Sequence, residues 1–223
     1  MIPVKRQPEP SDFNRLVRDP GKNHLRASPT PTPEPKYVRK KRLWEKVAGH
    51  LHAAYSEICA YSCHRIALVT GFRTVEHFIP IRVDPQKAYE WDNYRLVCGR
   101  LNGLKGAHQD VLDPFELDDN VFALDFPSLL VKPGSGLRSQ LEADVRATIK
   151  RLKLNDNETC IHERERRVRD YCTGEISFNH LRKEAPFIAH ELERQGLVRK
   201  IMNIMGYSQS AQATRGDADA TDT

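Results

Sequence analysis

Apolar positions along the chain change period three times. Before residue 37 they are sparse and broken by Pro3, Pro8, Pro10, Pro20, Pro29, Pro31, Pro33 and Pro35. Proline at alternate positions from residue 29 favours polyproline II and excludes helix. Only Phe13, Leu16 and Val17, behind Ser11-Asp12 as an N-cap, have the spacing of an amphipathic turn. Residues 1–36 therefore read as a proline-rich arm with one short helix that packs on the body. From Tyr37, helical spacing takes over at Leu43, Trp44, Val47, Leu51, Ala54, Tyr55 and Ile58. Ile66–Val69 and Arg73–His77 flank Thr70-Gly71-Phe72, which predicts a hairpin. On its second run Thr74, Glu76 and Phe78 share one face while Val75 and His77 share the other. Glu76 and His77 then reach one site only if the strand bends. Trp91, Tyr94, Leu96, Val97 and Leu101 supply apolar surface to a helix predicted from about Tyr94 to Lys105, with Gly103 and Gly106 fraying its end.

Beyond residue 115 the pattern is mainly helical. Val121–Leu124 and Leu129–Val131 read as short strands, and Pro133-Gly-Ser-Gly136 as a linker. Leu141, Val145, Ile149 and Leu152 form an i, i+4 stripe. Asn155-Asp156-Asn157 breaks it before a second helix, roughly Glu158 to Tyr171. A third runs from Phe178, is interrupted near Pro186, and continues through Leu192 and Leu197. Its apolar face, near Phe187 to Ile201, is expected to contact a partner subunit or a second copy of the chain, with burial in the chain's own core as the equal alternative. The small polar tail from Ser208 is expected to be disordered. The segments are thus 1–36, 37–115, 116–206 and 207–223, in the α+β class.

Composition narrows the function classes. The chain has 223 residues, 29% charged and 39% hydrophobic, with a net charge of +5. No stretch of about 18 apolar residues and no secretory h-region is visible, so no membrane span is expected and a cytoplasmic setting is. Five cysteines without a signal argue for a reducing compartment and no disulfide framework. The basic balance is compatible with a nucleic-acid partner. Arg39, Lys40, Lys41 and Arg42 are candidate phosphate contacts, with a solvated helix face as the plainer reading.

The chemistry-bearing residues cluster between Cys59 and Gly106. Thr74-Val-Glu-His-Phe-Ile-Pro80 places a Glu-His pair at the end of a β-patterned run. Trp91-Asp-Asn93 and Asn102-Gly-Leu-Lys105 follow in order. This stretch resembles the ββα-metal core of the HNH nucleases. The resemblance implies that His77 is the general base, that Asn93 orients its imidazole, that Glu76 and Asn102 bind the catalytic metal, and that Lys105 faces the phosphate. The chain would be a His-Asn-Asn variant. The chemistry suits those types: a histidine takes a proton from water, and Mg2+ (or Mn2+) accepts a carboxylate and an amide oxygen while keeping several waters. Glu76 stands where Asp is commoner.

Structural zinc is the second metal question. Cys59, Cys63 and Cys98 with His64 would complete a tetrahedral set. The first pair is one residue too wide for a knuckle, however, and Leu101 stands where a fourth cysteine would sit. The plainer reading is three small buried hydrophobes.

Val75–Pro80, Ala88–Leu96 and Leu152-Lys-Leu-Asn155 also resemble the HNH subunits of Septu-type and retron-associated antiphage systems. That branch implies a DNA target and an ATPase partner. The expectation is a metal-dependent DNA endonuclease of antiviral defence. The alternatives are a non-catalytic nucleic-acid-binding or assembly module on the same scaffold, and a stand-alone restriction or homing enzyme.

Overall fold

The computed structural model describes residues 1–69 and 72–207. The expected turn at Thr70-Gly71 and the polar tail from Ser208 lie outside the described residues. The chain is α+β: among the described residues, two separate two-stranded antiparallel sheets are set among helices. No described helix is long and apolar enough to cross a membrane.

The arm is built into the body. A helical turn at Asn14–Arg18, with the wider i→i+5 bonding of a π-turn, runs into α1 (Asp19–Arg26), and Pro20, which has no N–H to give the preceding turn, stands at the junction. Phe13, Val17 and Leu25 are buried. The Phe13 ring meets the edges of Trp91 and Tyr94 at 5.7 and 5.9 Å. Gly21 lies flat on Tyr89; a Cβ there would fall 2.2 Å from the Tyr89 ring, so only glycine admits this approach.

The helix expected across Tyr37–Ile58 is in three pieces: α2 (Pro35–Val38), a 3-10 turn at Leu43–Val47, and α3 (Ala48–Ala54). The break falls on the basic run 39–42. Two carbonyls there, of Val38 and Lys41, accept the Tyr89 hydroxyl at 3.1 and 3.0 Å. The single Tyr89 proton is shared between two carbonyls that also accept the N–H groups of Lys41 and Leu43, so the buried tyrosine ties the break to the body.

The hairpin expectation is corrected. β1 (Arg73–His77) pairs with β2 (Tyr94–Cys98), not with Ile66–Val69, and His77 lies opposite Tyr94. Leu68 and Val69 are exposed, while Ile66 is buried. The helix predicted from Tyr94 begins only at Gly99: α4 spans Gly99–Lys105. The first four residues of β2 are buried, so both its faces are covered. Such a strand reads as a continuous apolar run that helical spacing also fits. The local order is therefore strand, strand, helix.

The second half carries β3 (Phe122–Asp125), β4 (Leu130–Pro133), α5 (Ser139–Arg151), α6 (His162–Cys172), α7 (Phe178–Glu184), α8 (Pro186–Arg194) and α9 (Ile201–Ile204). Asn155 pins β4 from the side, exchanging hydrogen bonds of 2.8 Å with both the N–H and the C=O of Val131. Phe187, Ile188, Ala189 and Leu192 of α8 are buried within the chain, so the face expected to meet a partner is core. Buried Glu191 accepts the Leu124 N–H at 2.8 Å, tying α8 to β3. Arg65 joins the halves, with its N–H on the Glu184 carbonyl at 2.9 Å and its guanidinium on the Glu184 carboxylate at 3.0 Å.

Candidate functional site

β1 stays regular through His77, so its two faces carry different residues. His77 faces the layer of Trp44 and Tyr94, whose rings stand edge-on to the imidazole at 4.7 and 5.3 Å. Its Nε2 lies 3.0 Å from the Ala88 carbonyl. A carbonyl only accepts, so Nε2 carries the proton and the neutral ring keeps its lone pair on Nδ1. The same carbonyl takes the Tyr94 hydroxyl at 2.8 Å. Desolvation, with smaller contributions from the charges of Lys105 and Arg39, pushes the imidazole down to about 4. The ring is therefore neutral at pH 7, and His77 as a residue is half-buried.

Glu76 points the other way, onto α4. It is 1% exposed. One carboxylate oxygen meets Lys105 Nζ at 2.6 Å and the other accepts the Tyr61 hydroxyl at 3.1 Å. Burial raises its pKa, against the pull of Lys105. Asn102, one turn before Lys105, donates from Nδ2 to Thr74 Oγ1 at 2.8 Å, and Thr74 in turn donates to the Val97 carbonyl at 2.7 Å. The structure thus brings Glu76 to Lys105 and Asn102 to Thr74. It does not bring Glu76 to His77.

Two expected roles change. Lys105 is fully buried and donates to the carbonyls of His77 and Phe78 at 3.2 and 2.9 Å; it does not face outward to a phosphate. Asn93 does not hold the imidazole. Its Oδ1 accepts the Ile79 N–H at 2.7 Å, and its Nδ2 donates to the carbonyls of Ile79 and Lys87 at 3.0 Å each. Asn93 closes the loop that presents Ala88, so its hold on His77 is indirect.

The fit of a divalent ion follows from these contacts. A carboxylate and an amide oxygen are the right donors for Mg2+. Here both carboxylate oxygens are engaged, one by a cation, and the pair is out of solvent. In this arrangement Glu76 and Asn102 do not fit a hydrated ion. Among the described residues no three His, Cys, Asp or Glu groups could hold a metal. The zinc set is not such a group either. Cys98 donates its N–H to Cys59 Sγ at 3.4 Å, and His64 engages the Ser62 carbonyl through Nδ1 at 2.9 Å, which leaves Nε2 as its other ring nitrogen. His64 Nε2 is buried without a partner beside a cavity of 150 Å³ that Cys98 and Cys160 also line.

Arg39, Lys40, Lys41 and Arg42 are all exposed. Arg42 pairs with Glu45 at 2.6 Å, and Lys40 lies 5.9 Å from the Tyr37 ring centre. Arg39 is close enough to His77 to act on its charge. The basic segment runs directly into the 3-10 turn whose Trp44 ring stands edge-on to His77 at 4.7 Å.

Sequence reasoning missed Ala88, Tyr61, Trp44 and Tyr94 as parts of the site. Ala88 acts through a backbone carbonyl, which no residue type signals. The aromatic density from Tyr89 to Tyr94 was a usable sign for Tyr94 alone. No protein-family model and no curated protein matches the chain.

Proposed function

We propose that the chain is an HNH-type endonuclease that hydrolyses DNA phosphodiester bonds with His77 as general base. The observation that carries the reading is the Nε2–H hydrogen bond to the Ala88 carbonyl at 3.0 Å. It fixes the tautomer and leaves Nδ1 to take a proton, the arrangement a general base needs. In the proposed step Nδ1 accepts a proton from water as the water oxygen bonds to phosphorus. The P–O3′ bond breaks, and the 3′ oxygen takes a proton from solvent. Arg39, Lys40 and Lys41 would bind the flanking phosphates as exposed cations. The strand–strand–helix order, with Glu-His at the end of the first strand, also supports the reading.

The test is nicking of supercoiled plasmid by purified protein, with Mg2+, Mn2+ or EDTA. His77→Ala should lose about 10²–10⁴ in rate while staying folded. Wild-type nicking by a folded His77→Ala protein would remove His77 from the chemistry. The resemblance to defence-associated subunits extends the proposal to an ATPase partner, which co-purification with the neighbouring gene's product checks.

One observation favours a second reading, a DNA-binding module without catalysis: the closed Glu76–Lys105 pair. It expects DNA binding by anisotropy and no nicking in any metal.

A further inference from the structure

We infer that Lys105 is a resident cation closed on Glu76, and that a divalent ion reaches this carboxylate only by displacing it. The inference rests on the strand–helix face of the proposed nuclease site and deepens that reading. An ammonium has three donors. In Lys105 one reaches Glu76 at 2.6 Å, and the other two reach the carbonyls of His77 and Phe78 at 3.2 and 2.9 Å. All three are engaged. The Phe78 ring lies 5.4 Å from Nζ and adds a cation–π contact. The second Glu76 oxygen is held by the Tyr61 hydroxyl. The two side chains are 0% and 1% exposed, so water does not compete for either.

These contacts set the cost of metal entry. A carboxylate already neutralised by an ammonium offers a divalent ion no net charge. Expelling the ammonium would leave a buried cation without its partner, which is strongly unfavourable. Asn102 is anchored to Thr74 through its amide nitrogen, and its neutral amide oxygen does not replace the charge that Lys105 takes up. Lys105 is in addition a positioning residue. By gripping the main-chain oxygens of His77 and Phe78, it fixes the end of β1 from which the imidazole projects.

The test reads ion binding rather than cleavage, by Mn2+ electron paramagnetic resonance on the full chain with circular dichroism for fold. Wild type should show no stoichiometric Mn2+ site in the micromolar range. Lys105→Met keeps the stem and removes the charge. It should tighten Mn2+ binding by at least about tenfold, a conservative scale for removing one unit charge a few ångströms away. If Lys105→Met does not fold, Lys105→Gln, which keeps donors for the two carbonyls, carries the same expectation. Adding Glu76→Gln to either variant should abolish the gain. A stoichiometric micromolar site in wild type overturns the inference and needs no variant. So does equal affinity in wild type and a folded Lys105 variant, or a gain that persists without the Glu76 carboxylate. Because cleavage is not the readout, failure here leaves His77 as the proposed base, and absence of nicking leaves the Lys105 result standing.

Discussion

Asn93 offers the sharpest link between a single side chain, stability and the candidate base. It is 4% exposed and makes three side-chain hydrogen bonds, to the Ile79 N–H and to the carbonyls of Ile79 and Lys87. These close the loop between Phe78 and Asn93, and Ala88 follows Lys87 directly. Asn93→Ala deletes all three bonds. At about 0.5–1.5 kcal/mol net for each, the loss is about 2–4 kcal/mol. The upper end is tempered because Ile79 and Lys87 also line a wide open cleft, where water can reach the freed groups. For a chain of this length that lowers Tm by about 5–12 °C. Loosening Ala88 should also cost nicking rate, since His77 loses the carbonyl that fixes its tautomer. Asn93→Asp adds a discriminating arm. It keeps the acceptor for Ile79 N–H but turns a carboxylate oxygen toward two carbonyls, so at pH 7 it should be at least as damaging as alanine. Thermal and urea unfolding by circular dichroism, run beside the nicking assay, decide the matter. An Asn93→Ala protein within about 0.5 kcal/mol of wild type would refute the accounting, as would an Asn93→Asp protein more stable than Asn93→Ala.

Two further predictions concern charge. Burial holds both His77 and His64 down to about 4, against an ordinary 6.5. The unfolded chain therefore binds two protons that the fold refuses between pH 6.5 and 4. Stability should fall with pH across that window by about 1–2 kcal/mol per unit, and urea unfolding at pH 7, 6 and 5 with no such slope would contradict it. On the surface, Lys40→Ala with Lys41→Ala should leave Tm unchanged and weaken DNA binding. The dependence of log K on log salt should flatten by up to about 1.8 if both contact phosphates, and an unchanged slope in fluorescence anisotropy would remove the basic segment from the interface.

How far the fold could be read from the sequence depended on whether a residue's neighbours were local. The helices beyond residue 137 follow from their own spacing: Leu141, Val145, Ile149 and Leu152 belong to a stripe whether or not the partner is known, and α5 covers Ser139–Arg151. Phe13 and Val17 likewise marked the packed part of the arm. β2 failed for the opposite reason. Tyr94, Leu96 and Val97 are buried because α4, α3 and the arm cover them, and none of those contacts is written in the five residues themselves. In the site, Asn102 and Lys105 were legible as neighbours one turn apart. The direction of their face was not. A lysine at the end of an amphipathic helix ordinarily points to water, and here a buried glutamate on β1 draws it inward.

The regularity of β1 then constrains how the site can act. Glu76 and His77 are adjacent in sequence but face opposite layers, Glu76 toward α4 and His77 toward Trp44 and Tyr94. No side-chain contact joins them. Their coupling runs through Lys105, which holds the Glu76 carboxylate with one proton and the His77 and Phe78 carbonyls with the others. The orientation of the imidazole depends instead on Ala88, Tyr94 and the loop that Asn93 closes. Two supports therefore converge on His77 from opposite sides of one strand, one ionic and one built from neutral hydrogen bonds. The first is fully buried, so salt screens it little, and substitutions at Glu76 or Lys105 act on it. Loop substitutions act on the second. A histidine supported in this way can remain a neutral base while the acid beside it is closed, so chemistry at His77 and ion binding at Glu76 are separable properties of the same strand.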